Sequence, residues 1–125
     1  MGERVVGISP DELQEAQGTP GLRRWVAHEA DSHWLGRVEA AAETMSGWHH
    51  HGDNTTLGFV LSGSVTLEFG PGGSERVLVG AGEYFVVPPN TVHREGNTAA
   101  QDAEALVIRY GEGPPVFPAD GPEPA

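Results

Sequence analysis

Along most of the chain apolar and polar residues alternate with a period of two, the signature of strands with one buried face. The segment Val65-Thr66-Leu67-Glu68-Phe69 is apolar at every second position, and Trp34, Gly36, Val38 and Ala40 share one face of a strand expected over residues 34–42. Further strands are expected over residues 22–29, 57–61, 76–79, 83–87 and 104–110, with Val92-His93 restarting the chain after a turn. Turn residues separate them: Ser62-Gly63-Ser64, Gly70-Pro71-Gly72-Gly73, Gly80-Ala81-Gly82 and Pro88-Pro89-Asn90-Thr91. Short strands with turn signals at roughly 8 to 12 residues predict an all-β sandwich or barrel. By their alternation, Trp48, Phe59, Phe69, Tyr84 and Phe85 are assigned to its core. Near the start, Ser9-Pro10-Asp11-Glu12 has the form of a helix N-terminus, predicting a short helix to about Gln17, where Gly18 and Pro20 stop it. Residues 4–8 read as a short apolar strand suited to pairing with a second copy.

Composition narrows this picture. With 125 residues the chain is expected to form one domain: an N-terminal arm over 1–21, a β body over 22–110 and a proline-rich tail over 111–125. The tail holds five of the ten prolines and is expected to lie extended against the body through Val116 and Phe117. Eighteen acids against seven basic residues, all of them Arg, give a net charge of −11. Such a surface repels phosphate backbones and anionic lipid, so neither nucleic acid nor membrane is an expected partner. The absence of Cys removes disulfides, thiolate ligands and a Cys nucleophile. No basic stretch followed by an apolar run opens the chain, and the expectation is a cytoplasmic protein.

Three consecutive histidines, His49-His50-His51, stand just ahead of an apolar run. In a strand, residues i and i+2 point to the same side, so His49 and His51 project together and His50 points away. Two imidazoles on one face are part of a metal site, and His93, after the Pro-Pro turn, is the candidate for the third. His28 and His33 carry no motif and read as polar residues at the surface or at strand ends.

The segment Gly82-x5-Pro88-x-Asn90-x2-His93-x3-Asn97 resembles the second motif of the cupin family, with Asn90 where the family usually has glycine; Asn also tolerates positive φ. The stretch Gly47 to Gly63, with His49-x-His51, resembles the first motif. The resemblance implies a single-domain jelly-roll barrel, a double-stranded β-helix. The first motif usually also supplies a Glu four or five residues after its second His, where this chain has Thr55 and Thr56. The resemblance therefore implies a three-histidine centre, His49, His51 and His93, holding one divalent ion without a carboxylate. Fe(II) is the favoured ion, with Zn, Ni, Mn or Cu as alternatives. His50, Asp53, Thr55, Thr56 and Arg94 are candidates to surround the centre, Arg94 either anchoring an anionic substrate or forming a surface ion pair with Glu95.

Three functions follow from such a centre. The first is a mononuclear non-haem dioxygenase acting on a small chelating substrate such as a diketone, a catechol or a carboxylate. The second is a redox-neutral Zn or Ni isomerase, cyclase or lyase, which needs a general base: His50, Asp53, Glu95 or Tyr84. The third is a cupin that binds a metal or small molecule without catalysis. A homodimer is expected, since small cupins often pair through sheet edges.

Overall fold

The computed structural model describes residues 4–19 and 21–123. In chain order its strands are β1 (Gln14–Thr19), β2 (Leu22–Ala30), β3 (His33–Ala40), β4 (Thr44–Met45), β5 (His49–His50), β6 (Thr55–Ser62), β7 (Ser64–Phe69), β8 (Glu75–Gly80), β9 (Tyr84–Val87), β10 (Arg94–Asn97), β11 (Ala103–Tyr110) and β12 (Phe117–Pro118). Two antiparallel sheets face each other, one ordered β1-β2-β3-β11-β6-β9 and one ordered β4-β10-β7-β8. A small ladder, β5 with β12, closes one end. This is the predicted all-β jelly roll.

The period-two pattern becomes the core directly. Val65 and Leu67 on β7 meet Val60 on β6, Phe85 and Val87 on β9 and Ala103, Ala105 and Val107 on β11. Ala40, Val38 and Trp34 face the same interior, as their alternation on β3 predicts. Small residues make room for large ones: a Cβ on Gly58 would come within 2.1 Å of the Phe85 ring registered beside it.

Several expectations are corrected. The helix is one 3-10 turn, Pro10–Glu12, its end tied down by Ser9. Leu13 is already extended, at φ −64° and ψ 141°, and the chain continues as β1 against β2. Pairing along β2 wins over a helix-start signal with no amphipathic stripe behind it. Residues 4–8 form no strand, and Val5 and Val6 are exposed. Phe59 and Tyr84, assigned to the core, lie on the outward face of the larger sheet, where their rings are 4.7 Å apart. Phe85 points inward, so its neighbour Tyr84 must point out, and it is 75% exposed.

Candidate metal centre

The two histidine segments meet as neighbours. His49 and His93 exchange backbone hydrogen bonds in both directions, each N–H donating to the other's carbonyl at 2.9 Å. Residues directly opposite in an antiparallel pair project to the same side. The turn that delivers His93 depends on Asn90, whose φ is +56°, as predicted for the residue standing where glycine is usual. Asn90 donates its backbone N–H to the Gly52 carbonyl and its side-chain amide to Asp53. His51 lies just beyond β5 and completes a triangle, with ring centroids 4.9 Å from His49, 5.0 Å from His93, and 4.4 Å between the latter two.

Each ring is held by the same device. Nδ1 of His49 lies 2.9 Å from the Gly47 carbonyl, Nδ1 of His93 2.9 Å from that of Thr91, and Nδ1 of His51 2.7 Å from that of Pro115. A carbonyl only accepts, so each Nδ1 carries the proton and each Nε2 keeps its lone pair. All three Nε2 atoms are buried without a hydrogen-bond partner. An orphaned buried acceptor is costly, and three aimed at one point are what a metal centre requires.

Glu95, expected only as a general base or as an ion-pair partner of Arg94, is a fourth donor in the cluster. Glu95 follows His93 by two residues on β10 and so shares its face, the same rule that joined His49 to His51. Its Oε1 lies 3.4 Å from His49 Nε2 and its Oε2 4.0 Å from His93 Nε2. Ligand atoms of His49, His51, His93 and Glu95 all lie within 4.8 Å of one another, the dimension of one ion's ligand shell. The resemblance implied a centre without a carboxylate; the cluster in the structure includes one, supplied by the second motif instead of the first.

Burial and charge set the protonation of the group. Burial pushes His51 down to about 3, with the Arg109 guanidinium adding to the effect. Burial also lowers His93, against the pull of Glu95. For His49 the cost of burial is outweighed by Glu95, and its pKa is raised. Burial alone would raise Glu95, but His49, His93 and His51 hold it well below the usual carboxylate range. Burial thus favours the neutral, ligating form of His51 and His93 and Glu95 stays ionised, while at His49 a proton competes with a cation more than at the other two rings.

The other candidates separate. His50 points away, stacks on Phe117 at 4.9 Å and accepts the Gly52 N–H. Asp53 is exposed, and Thr55 is half-buried on β6. Thr56 is buried and meets Arg109 Nε at 3.4 Å on the inner side. Arg94 is turned to the opposite face of β10. It pairs with Glu68 at 2.6 Å and lies 4.6 Å over the Trp48 ring, so it neither pairs with Glu95 nor faces the centre. His28 and His33 stack on each other at the surface. The tail contributes more than expected: besides the Pro115 carbonyl, Phe117 and Pro118 pair with His50 and His49, and Ala119 donates to Trp48.

Glu95 also lines a small inner chamber of about 30 Å³, walled by Leu22, Val38, Val65 and Phe85 and by the side chains of Arg24 and Arg109. No helix among the described residues is long and apolar enough to cross a membrane.

Comparison with known proteins agrees with this fold. The family model described as "Cupin domain" matches residues 36–109. No curated protein is detectably similar in sequence. Among solved structures, the polyketide cyclase RemF from Streptomyces resistomycificus superposes with a TM-score of 0.73 at 23% identity, over 95% of this chain and 86% of that one. KdgF from Halomonas sp. gives 0.67 at 18% identity, over 84% and 94%. A protein with a double-stranded β-helix domain from Klebsiella pneumoniae gives 0.71 at 16% identity, over 94% and 98%.

Proposed function

The chain belongs to the cupin family, and on that premise we propose that it is a mononuclear non-haem metal dioxygenase acting on a small chelating substrate such as a diketone, a catechol or a carboxylate. The observation that carries the reading is the set of three buried Nε2 lone pairs without a hydrogen-bond partner beside a half-buried carboxylate. His49, His51, His93 and Glu95 would hold one divalent ion. When bound, such an ion supplies a Lewis acid, and Fe(II) supplies redox chemistry with O2 as well.

The protein's own part is positioning and exclusion. The Nδ1 hydrogen bonds fix the tautomer and orientation of each ring. Glu95 reduces the charge of a divalent centre by one unit while remaining ionised. The chamber that Glu95 lines sets aliphatic walls against the guanidiniums of Arg24 and Arg109. Apart from Glu95, no carboxylate or imidazole lines that chamber among the described residues, so little acid–base chemistry is available to it. A substrate that brings its own ionised oxygens needs no such group.

A redox-neutral isomerase, cyclase or lyase is the second reading, favoured by the position of Glu95 between the histidines and the chamber. There one carboxylate oxygen would accept a substrate proton, and the structural likeness to a polyketide cyclase is in keeping with it. Oxygen consumption decides between the two. Protein reconstituted anaerobically with Fe(II) should consume O2 in proportion to an added catechol or β-diketone. Turnover of such a substrate by the Zn form without O2 uptake would overturn the oxygenase in favour of the second reading.

A further inference from the structure

Seven Arg residues serve a molecule of net charge −11, yet two of them, Arg24 and Arg109, line the inner chamber and the mouth cavity that opens beside it. Arg109 is on β11, opposite Thr56 on one side and Trp34 on the other. It is only 8% exposed, and its one hydrogen bond is to Thr56 Oγ1 at 3.4 Å. Among the described residues no carboxylate lies within ion-pair distance of either guanidinium, whereas Arg23, Arg37, Arg76 and Arg94 each have one. A buried cation whose partners are one long hydrogen bond and the Trp34 ring, 5.9 Å away, is expensive without a counter-charge, and two like charges facing one cavity add to the cost. Glu95 is the nearest compensation, and the histidines already engage it.

We infer that Arg109, with Arg24 beside it, is the subsite for a carboxylate group on the substrate, which would be a small organic acid carrying a carboxylate next to a second, metal-seeking oxygen. The planar guanidinium fork matches a carboxylate in two parallel hydrogen bonds. The mouth cavity, about 650 Å³ and lined also by Trp34, Asn54, His33 and the carboxylates Glu29 and Asp31, admits a small molecule from solvent, and the two guanidiniums are its counterweight to those acids. The inference rests on the metal reading above for the second anchoring point, but not for the first.

Pyruvate and its uncharged methyl ester serve as probes, titrated calorimetrically into metal-loaded and into chelator-stripped protein, with ions per chain measured on the same samples. The wild type should prefer the acid to the ester in both states. Arg109→Gln should weaken pyruvate binding by about ten- to a hundredfold while leaving the ester and the metal content unchanged. Arg109→Lys should recover part of the loss, and Arg24→Gln, at a half-buried position, should show a smaller one. Pyruvate bound equally by wild type and Arg109→Gln, or no preference for acid over ester in the wild type, overturns the subsite. Should Arg109→Gln fail to fold, the same comparison made with Arg24→Gln decides. A wild type that takes up no metal sinks the metal reading alone, since the stripped protein still reports on Arg109.

Discussion

At the scale of single residues, the carboxylate of Glu95 would lower the charge of a bound divalent ion by one unit, and it stands 3.4 Å from His49 Nε2. Glu95→Gln keeps the shape and removes the charge. It should lower metal affinity at least about tenfold in a competition titration with a coloured chelator; unchanged affinity would exclude Glu95 from the centre. Glu68 offers a test of an ion pair remote from the metal. It accepts from Arg76 and Arg94, each at 2.6 Å, and the Arg76 and Arg94 guanidiniums hold its pKa below the ordinary value of 4.5. A lowered carboxylate stabilises the fold above its ordinary pKa, and that contribution fades as pH falls through its folded value. Glu68→Gln should therefore cost about 1 kcal/mol near neutral pH, modest because both guanidiniums are partly solvated. In urea titrations the difference should close on acidification below 4.5. A difference independent of pH would mean that the pair is not its source.

At the scale of elements, the tail and the first histidine segment act together. The Pro115 carbonyl orients His51, and β12 zips onto β5. Removing residues 112–125 should lower metal affinity about ten- to a hundredfold while circular dichroism still reports a β protein. Full affinity in the truncated chain would show that the His51 ring needs no tether. This tie could not be read in the sequence, because hydrogen bonding between positions 51 and 115 leaves no local pattern. The strands could be read, because burial on one side imposes period two. Which side is buried could not be read for Phe59 and Tyr84, since both faces of their strands are apolar. Glu95 was within reach of the rule that paired His49 with His51, but its neighbour Arg94 suggested an ion pair in its place.

At the scale of the whole molecule, the outward face of the larger sheet carries Leu57, Leu61, Tyr84, Val86, Leu106 and Ile108, all exposed. Natural sheets rarely leave such a surface to water, and pairing of two copies through it is our expectation. Light scattering at micromolar concentration should give twice the chain mass, and Tyr84→Glu with Leu106→Glu should halve it. A monomeric wild type would end that expectation. The central claim concerns the metal. Untagged protein, purified without any metal-affinity step and reconstituted with Fe(II) or Zn, should carry about one ion per chain by mass spectrometry. His49→Ala and His93→Ala should carry none with the β fold retained, and His50→Ala should carry the full complement. No stoichiometric ion in the wild type after reconstitution, or equal metal in all three variants, would contradict the assignment of His49, His51, His93 and Glu95 as a metal centre.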